Sequence, residues 1–231
     1  MSRTRILVVD DDPGVLKFVS ACLRKGDYEP IMASNGQEAL RSIEEENPAL
    51  VILDIRMPKI DGIEVCRRLR EWSPIPVIML SALDSEEDKA KCLDLGADDY
   101  ITKPFGIAEL AARVKAVLRR TKGVANNQSV LAEGKLKVSF AQRQVTMAGK
   151  EIKLTPTEYS LMQEFAVNAG KVLTYTHLLN KVWGPEYKNE REYLHVFVRR
   201  LRAKIEPEPT NPRYIINVSG IGYKLNLSEA V

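Results

Sequence analysis

Over the first half of the chain, short apolar runs alternate with amphipathic segments, and this alternation constrains the fold more than any other feature. The five runs are Ile6–Val9, Pro30–Ala33, Leu50–Leu53, Val77–Leu80 and Tyr100–Ile101. The first amphipathic segment repeats Val15, Leu16, Val19 and Leu23 at helical spacing, and four more cover 36–46, 62–71, 86–95 and 107–120. Strands that are apolar on both faces and joined by helices predict a five-stranded parallel sheet with helices on both faces.

The pattern changes in the second half, which predicts a separate α+β domain. Short strands are expected at Leu136–Ser139, Val145–Ala148 and Ile152–Leu154. A capped helix start is predicted by Thr155, Pro156 and Glu158. A second helix is predicted to begin after Thr174 and to stop at Gly184, and a third to cover 189–205. A hairpin of Tyr214–Val218 and Tyr223–Leu227 follows. We predict domains at 3–121 and 131–229, with a linker at 122–130.

Composition and charge limit the classes of protein to which this chain can belong. The 231 residues are 45% hydrophobic and 28% charged, and no apolar run approaches the roughly 20 residues that span a bilayer. We expect a cytoplasmic protein without signal peptide or membrane partner. Residues 1–121 carry a net charge of −3 and residues 122–231 a net charge of +6. This asymmetry favours a cation or phosphoryl site in the first half and a polyanion partner in the second.

Polar side chains stand where the predicted parallel strands end. Asp10 and Asp11 follow the first strand, Asp54 ends the third, Ser81 ends the fourth and Lys103 ends the fifth. In a parallel sheet these side chains meet at one edge. Three carboxylates at such short distances repel one another and need a cation between them, and oxygen ligands favour Mg²⁺. Asp54 is the predicted nucleophile for a phosphoryl group, with Lys103 and the Ser81 hydroxyl neutralising and binding it.

Each of these residues also has an ordinary structural interpretation. The acidic triplet at 10–12 is typical of a solvated loop or a helix cap, and Asp54 of a turn. Ser81 could cap the next helix, and Lys103 could be a surface lysine. The conjunction favours a site, because one fold explains why every member ends a strand at the same edge.

The helix predicted at 189–205 has one apolar and one basic side. Its apolar stripe is Leu194, Phe197, Val198, Leu201 and Ile205. The opposite side carries Glu192, Tyr193, Val196, Arg199 and Arg200, with Arg202 and Lys204 on its flanks. A basic helix fits the major groove of DNA, although a solvated charged face has the same pattern. His177 and His195 are the only histidines, and the three cysteines are far apart, so no zinc site is predicted. His195, alone on this helix, is expected to make a hydrogen bond or a phosphate contact instead of binding a metal.

Residues 3–121 resemble a response-regulator receiver domain. The motifs that carry the resemblance are ILVVDDD at 6–12, LDIRMP at 53–58, DGIE at 61–64, VIMLSA at 77–82 and GADDYITKPF at 96–105. The resemblance implies Asp54 as phosphoacceptor, and Asp10, Asp11 and the Arg56 backbone carbonyl as Mg²⁺ ligands beside it. It also implies Ser81 and Tyr100 as a switch pair and Lys103 as the phosphoryl-binding lysine.

Residues 131–227 resemble the winged-helix output domain of OmpR/PhoB-family regulators. The motifs are LTPTEY at 154–159, NAGKVLT at 168–174, LLNKVWG at 178–184, VRRLRAKI at 198–205 and GIGYK at 220–224. The resemblance implies DNA contacts by Tyr193, Val196, Arg199, Arg200, Arg202, Lys204 and, in the wing, Lys224. Ser219 stands where many relatives carry a wing arginine, which leaves more of the DNA contact to the helix. REWSPIPVI at 70–78 and VWGPEY at 182–187 are similar to a sub-family that regulates potassium transport.

The combined resemblance implies a phosphorylation-controlled transcription regulator of a two-component system. Its implied partners are a sensor histidine kinase, double-stranded DNA, RNA polymerase and, after phosphorylation, a second copy of the chain. Receivers of this family pair through charges, here Lys89 with Glu109, Asp98 with Arg113 and Asp99 with Arg120. Ordinary surface ion pairs are the alternative at these positions.

Two other functions compete with this interpretation. An aspartate-nucleophile phosphohydrolase would use a similar sheet, but it needs a second Asp two residues after the nucleophile, where this chain has Arg56. Slow self-dephosphorylation rather than turnover of outside substrates is therefore expected. A receiver that works without phosphate would also fit the fold, but the presence of every pocket residue argues against it.

Overall fold

The chain forms two compact units, Met1–Arg119 and Arg120–Val231, in a computed structural model that describes residues 3–82, 85–122, 130–133 and 135–226. Most of the linker predicted at 122–130 lies outside the described residues. In the described part of the chain, no helix has both the length and the apolar composition to cross a membrane.

The first unit contains the predicted parallel sheet. Its strands are β1 (Thr4–Val9), β2 (Tyr28–Ala33), β3 (Leu50–Asp54), β4 (Val77–Ser81) and β5 (Asp99–Thr102). They pair in the order β2-β1-β3-β4-β5, and every pairing is parallel. The predicted fold class is confirmed for this unit.

Four helices join these strands and a fifth follows β5; they are α1 (Pro13–Lys25), α2 (Gly36–Glu46), α3 (Gly62–Trp72), α4 (Glu86–Asp94) and α5 (Ile107–Lys122). Asp12, Asn35 and Asp61 cap the first three helices by accepting backbone N–H groups with their side chains. One face of the sheet packs through Ile6, Val8, Ile52 and Ile78 against α1 and α5, which contribute Val19, Leu23, Leu110, Val114 and Val117. The alternate strand positions are also fully buried, as expected for a sheet covered on both faces.

The second unit begins with an antiparallel sheet of four strands in sequence order. They are β6 (Val130–Glu133), β7 (Leu136–Ser139), β8 (Gln144–Met147) and β9 (Lys150–Ile152). The sequence predicted the last three within two residues. It missed β6, because that strand directly follows a stretch of turn-forming residues that masks its short apolar pattern.

Three helices and a hairpin complete the unit. The helices are α6 (Pro156–Val167), α7 (Tyr175–Val182) and α8 (Arg191–Ile205), with a 3₁₀ turn at Pro185–Tyr187. Thr155 and Glu158 form the predicted capping box of α6, and Thr174 caps α7. The hairpin strands β11 (Ile215–Val218) and β12 (Gly222–Leu225) form a sheet with β10 (Val172–Thr174), a short strand that the sequence analysis did not predict. The unit is a winged helix, as the resemblance implied.

Candidate functional site

The strand order places the acidic residues at one edge of the first sheet. The chain crosses from β1 to β2 on one side and to β3 on the other, so a crevice opens at the carboxyl ends of β1 and β3. Asp10 follows β1, and its N–H donates to the Ala33 carbonyl at 3.2 Å. Asp54 is the last residue of β3 and lies in register with Leu80 of β4. The topology therefore brings these two carboxylates to the crevice.

Three carboxylates and one ammonium meet there. Asp10, Asp11 and Asp54 each offer an oxygen within 4.8 Å of the others. Lys103 Nζ donates to Asp10 Oδ2 at 2.7 Å and to Asp54 Oδ1 at 2.6 Å. The Lys103–Pro104 peptide bond is cis. The structure thus gathers four of the five side chains that the sequence analysis placed together.

Burial and charge act in opposite directions on the ionisation of this cluster. Burial raises the pKa of Asp54 above its ordinary value, and the Lys103 ammonium only partly opposes the shift. Burial alone would lower the pKa of Lys103, but its hydrogen bonds to Asp10 and Asp54 raise it instead. One ammonium among three carboxylates leaves a negative cluster built of oxygen atoms, which fits a hard divalent cation.

The remaining predicted pocket residues lie nearby in the sheet. Ser81 ends β4, is 2% exposed and pairs in register with Thr102 of β5. Tyr100 lies within β5 and is 1% exposed. The Arg56 backbone donates a hydrogen bond to the Asp54 carboxylate. The metal-ligand role of the Arg56 carbonyl and the switching of Ser81 and Tyr100 stay predictions.

Helix α8 buries the predicted apolar stripe, because Leu194, Phe197, Val198, Leu201 and Ile205 are all at most 2% exposed. Two residues expected on the outward side are buried as well. Tyr193 and Val196 are each 2% exposed, and the Tyr193 ring packs edge-on against Trp183 and Tyr187. The expected surface position of Tyr193 and Val196 was therefore wrong. The cause at Tyr193 is this aromatic cluster, whose other two rings come from the chain that precedes α8, so that the helical spacing within α8 does not report them.

Three of the predicted DNA-contacting cations of α8 are held by the protein itself. Arg200 Nε lies 2.9 Å from Glu158 Oε1, and Lys204 Nζ lies 2.6 Å from Glu158 Oε2. Arg202 donates to the Ile215 carbonyl from Nε and Nη2, at 3.0 and 2.6 Å. Sequence reasoning identified Glu158 only as a helix cap. Its second role was hidden, because its partners come some 40 residues later in the chain.

Other predicted DNA residues are more accessible. Arg199 is exposed on α8, and Lys224 of β12 is partly exposed. His195, one turn before Arg199, is exposed and lies with its Nδ1 2.8 Å from the Tyr223 hydroxyl. The sequence predicted a hydrogen bond or a phosphate contact for His195, and it predicted no role for Tyr223. The hydrogen-bonding distance to Tyr223 agrees with the first alternative, and the phosphate contact stays a prediction.

Residues predicted for a receiver–receiver interface form ion pairs inside one receiver. Asp98 is fully buried and accepts from Arg70 Nη2 at 3.0 Å and from the Val77 N–H at 3.1 Å. Asp99 is also fully buried and accepts from Arg113 Nη1 at 3.0 Å. Arg113 Nε reaches Glu109 at 3.2 Å.

Arg120 is 3% exposed and falls in the second unit. A surface position for Asp98, Asp99 and Arg120 is thus corrected, while Lys89 and Glu109 are at least partly exposed.

A receiver fold with an acidic crevice, followed by a winged helix, defines a response regulator with a DNA-binding output domain. The family model "Response regulator receiver domain" matches residues 6–115, and "Transcriptional regulatory protein, C terminal" matches residues 149–225. The chain is 42% identical over 222 residues to the transcriptional regulatory protein KdpE of Mycobacterium tuberculosis, covering 96% of this chain and 98% of the relative. It is 40% identical over 224 residues to the KDP operon transcriptional regulatory protein KdpE of Escherichia coli, covering 97% and 100%.

Solved structures agree with these matches. The response regulator DrrB, a Thermotoga maritima OmpR/PhoB homologue, is 34% identical with a TM-score of 0.53, covering 97% of this chain and 100% of its own. A RitR mutant is 26% identical with a TM-score of 0.79, covering 96% and 98%. The chain belongs to the OmpR/PhoB family of response regulators and is KdpE-like within it. It is a two-component transcriptional regulator.

Proposed function

We propose that Asp54 accepts a phosphoryl group from a sensor histidine kinase, and that the acyl phosphate promotes receiver pairing and promoter binding. One observation carries this proposal. The Asp54 carboxylate, 5% exposed as a residue, lies at the crevice between two other carboxylates and the Lys103 ammonium. The Lys103 ammonium supplies one counter-charge for an incoming phosphoryl group, and a divalent cation held by the three carboxylates would supply the rest.

The pocket residues divide the work of phosphoryl transfer. Asp10, Asp11 and Asp54 would hold Mg²⁺, which supplies charge neutralisation for the phosphoryl oxygens. Asp54 provides the attacking oxygen, and Lys103 can give up its bond to Asp54 to bind a phosphoryl oxygen instead. Ser81, at the neighbouring strand end, can donate its hydroxyl. The chain then acts as a phosphoryl acceptor that returns slowly to its resting state, rather than as an enzyme with outside substrates.

Intact-protein mass spectrometry after incubation with acetyl phosphate and Mg²⁺ tests the assignment. The wild type and Asp12→Asn should gain one phosphoryl group, whereas Asp54→Asn should gain none. Asp12 is the matched control, because it is acidic, lies next to the cluster and caps α1 through a side-chain oxygen that Asn retains. Phosphorylation of Asp54→Asn at the wild-type level would contradict the proposal.

Phosphorylation is proposed to favour a two-fold receiver dimer that brings two output domains to adjacent DNA half-sites. Of the predicted ion pairs between receivers, Lys89 with Glu109 is the one best placed to form across the dimer. The Glu109 side chain is 43% exposed, and Lys89 is partly exposed. Glu109→Lys should weaken phosphorylation-dependent dimerisation in light scattering. The double variant Lys89→Glu with Glu109→Lys should restore it. Failure of the charge swap to restore dimerisation would reject this pair.

The output domain is proposed to place α8 in the major groove and the β11–β12 wing in the adjacent minor groove. Exposed Arg199 and Lys224 are the first contacts to test, with Tyr193, Val196, Arg200, Arg202 and Lys204 following if they become accessible on DNA. Binding-site selection from a random duplex pool, using protein phosphorylated with Mg²⁺ present, would give the operator. Arg199→Ala should weaken binding to the selected duplex, with the exposed Arg213→Ala as control. We further propose that the bound protein contacts RNA polymerase and acts in the cytoplasm.

Potassium-transport genes are the proposed target. The support is the similarity to KdpE proteins, one of which is named for the KDP operon. Phosphorylated protein should bind promoter fragments upstream of the host's potassium-uptake genes more tightly than equally long fragments from unrelated promoters. Equal binding to both sets would leave a two-component regulator with different targets.

A further inference from the structure

One hydrogen bond joins helix α8 to the wing. His195 Nδ1 on α8 and the Tyr223 hydroxyl on β12 lie 2.8 Å apart, although 28 residues separate them in the chain. Tyr175, the first residue of α7, completes the cluster, with its ring centroid 5.8 Å from both the His195 and the Tyr223 rings. The Arg202 guanidinium lies over the Tyr223 ring at 5.7 Å. Three elements of the winged helix therefore meet at His195.

The position of this cluster indicates what it would face on DNA. Between the major groove and the adjacent minor groove runs a single sugar–phosphate backbone. A protein with α8 in the first groove and its wing in the second must straddle that backbone. Residues at the junction of α8 and the wing then face phosphates rather than base edges.

The chemistry of the pair suits a phosphate ligand. Burial raises the pKa of Tyr223, against the opposing charge of Arg202, so its hydroxyl keeps its proton at neutral pH and can donate to Nδ1. A neutral imidazole that accepts at Nδ1 carries its proton on Nε2. Tyr223 is 5% exposed and fixed in the sheet, whereas His195 is exposed. When the Tyr223 hydroxyl donates to Nδ1, the exposed ring carries its proton on Nε2 and is a donor there.

Two exposed arginines flank His195 on the same side of α8. Arg191 and Arg199 stand one turn before and one turn after it, and both are exposed. Arg191 also lies over the Tyr175 ring at 5.3 Å. Three N–H donor side chains thus follow one another at helical spacing along one side of α8, where they could contact a phosphate backbone together.

We propose that His195 binds a phosphate of the DNA backbone through Nε2, and that Tyr223 positions it for this contact. The inference rests on the proposed docking of α8 and the wing, and it adds a DNA ligand outside the arginines and lysines of the helix. The contact is to phosphate, so it strengthens binding to every DNA sequence in similar measure.

Two conservative substitutions separate phosphate binding from a merely structural link to the wing. The amide of Gln places a donor near the Nε2 position of histidine, whereas the shorter Asn places its amide near Nδ1. His195→Gln should therefore retain DNA affinity, and His195→Asn and His195→Ala should lose about five- to ten-fold, the effect of one hydrogen bond. The probes are the duplex recovered by binding-site selection and a scrambled duplex of equal length, with thermal denaturation as the check on folding.

The pattern of losses decides the outcome. Better binding by His195→Asn than by His195→Gln would overturn the proposal in favour of a structural clamp. A loss on the selected duplex alone would overturn it in favour of base reading. Tyr223→Phe should weaken DNA binding when His195 is present and have little further effect in the His195→Ala background. Additive losses in the double variant would show that Tyr223 does not position His195. If the wild type fails to bind either duplex, the proposed DNA docking itself fails, which is a separate result.

Discussion

The carboxylate of Glu158 is fully buried and lies 2.9 Å from Arg200 Nε, which joins the first helix of the output domain to the helix proposed to enter DNA. Lys204 reaches the other carboxylate oxygen at 2.6 Å. The same carboxylate accepts the Thr155 N–H at the start of α6. One buried anion therefore caps α6 and holds two cations of α8.

Replacing Glu158 should destabilise the output domain through its lost charge. Glu158→Gln retains an acceptor for the Thr155 N–H but removes the negative charge that Arg200 and Lys204 share. We expect a loss of about 2–4 kcal/mol in the free energy of unfolding, below the full cost of breaking a buried pair because Lys204 is partly exposed. Urea unfolding followed by the fluorescence of buried Trp183, in a Trp72→Phe background, measures it. Glu192→Gln, an exposed change on α8, should stay within about 0.5 kcal/mol.

The contribution of Glu158 should also depend on pH. Burial alone would raise its pKa, but the charges of Arg200 and Lys204 outweigh burial and lower the pKa below its ordinary value of 4.5. A carboxyl group with a lowered folded-state pKa stabilises the fold fully above the unfolded pKa and loses that stabilisation as the pH falls through the folded pKa. The stability difference between wild type and Glu158→Gln should therefore be constant above about pH 5 and shrink below pH 4.5. A difference that grows on acidification would show the opposite linkage.

Local sequence patterns predicted most of the fold, because they report local structure. The alternation of apolar runs predicted all five receiver strands, and the Thr155–Glu158 spacing predicted the start of α6. Strand ends then predicted the acidic crevice, since the carboxyl ends of parallel strands share an edge. Each step needed only neighbours in sequence and one topological rule.

The sequence could not predict which long-range partner a side chain selects. Asp98 and Arg70 are 28 residues apart, and Glu158 and Arg200 are 42 apart, and their pairing depends on how helices pack. Helical spacing also placed Tyr193 on the outward side, because the spacing gives the angle of a residue on its helix but not which rings pack there. These are the positions where the expected surface roles needed correction.

Lys103 should compete with a divalent cation for the same oxygens. Its ammonium donates to one oxygen of Asp10 and one of Asp54, so its positive charge repels a cation held by the same carboxylates. Lys103→Ala should therefore bind Mg²⁺ more tightly than the wild type, by roughly three- to ten-fold for one lost charge-assisted hydrogen bond. A thermal-shift titration with Mg²⁺ measures the change, and exposed Lys17→Ala should titrate like the wild type. Weaker Mg²⁺ binding by Lys103→Ala would mean that the lysine supports the cation site.

Asp98 should matter for the stability of a single receiver. It is fully buried and accepts hydrogen bonds from Arg70 and from the first residue of β4. Asp98→Ala leaves the Arg70 charge and the Val77 N–H without this acceptor, so we expect a loss of about 3–5 kcal/mol in unfolding free energy. Glu109→Ala, at the edge of the same charge cluster but exposed, should lose less than about 0.5 kcal/mol. Urea unfolding of unphosphorylated protein gives both values. If both variants lost similarly little unfolding free energy, the contacts of Asp98 within one receiver would not stabilise it, and the predicted pairing between receivers would be favoured instead.

Gly62 should be required for the position of Asp54. It is the first residue of α3, and a Cβ atom there would overlap the backbone carbonyl of Asp54 and approach the Ile55 Cα to 3.1 Å. Because these are backbone atoms at the end of β3, no side-chain rotation can relieve the overlap. Either α3 moves away or the phosphoacceptor strand shifts.

The matched variants Gly62→Ala and Gly106→Ala make this expectation measurable. A Cβ at Gly106 meets nothing within 4 Å, although this glycine also lies in the receiver, just before α5. Gly62→Ala should slow phosphorylation of Asp54 by acetyl phosphate at least about ten-fold, because a misplaced reacting group loses the benefit of orientation. Gly106→Ala should react at the wild-type rate. A wild-type rate and melting temperature in Gly62→Ala would show that the end of β3 can yield to the extra methyl group without displacing the carboxylate.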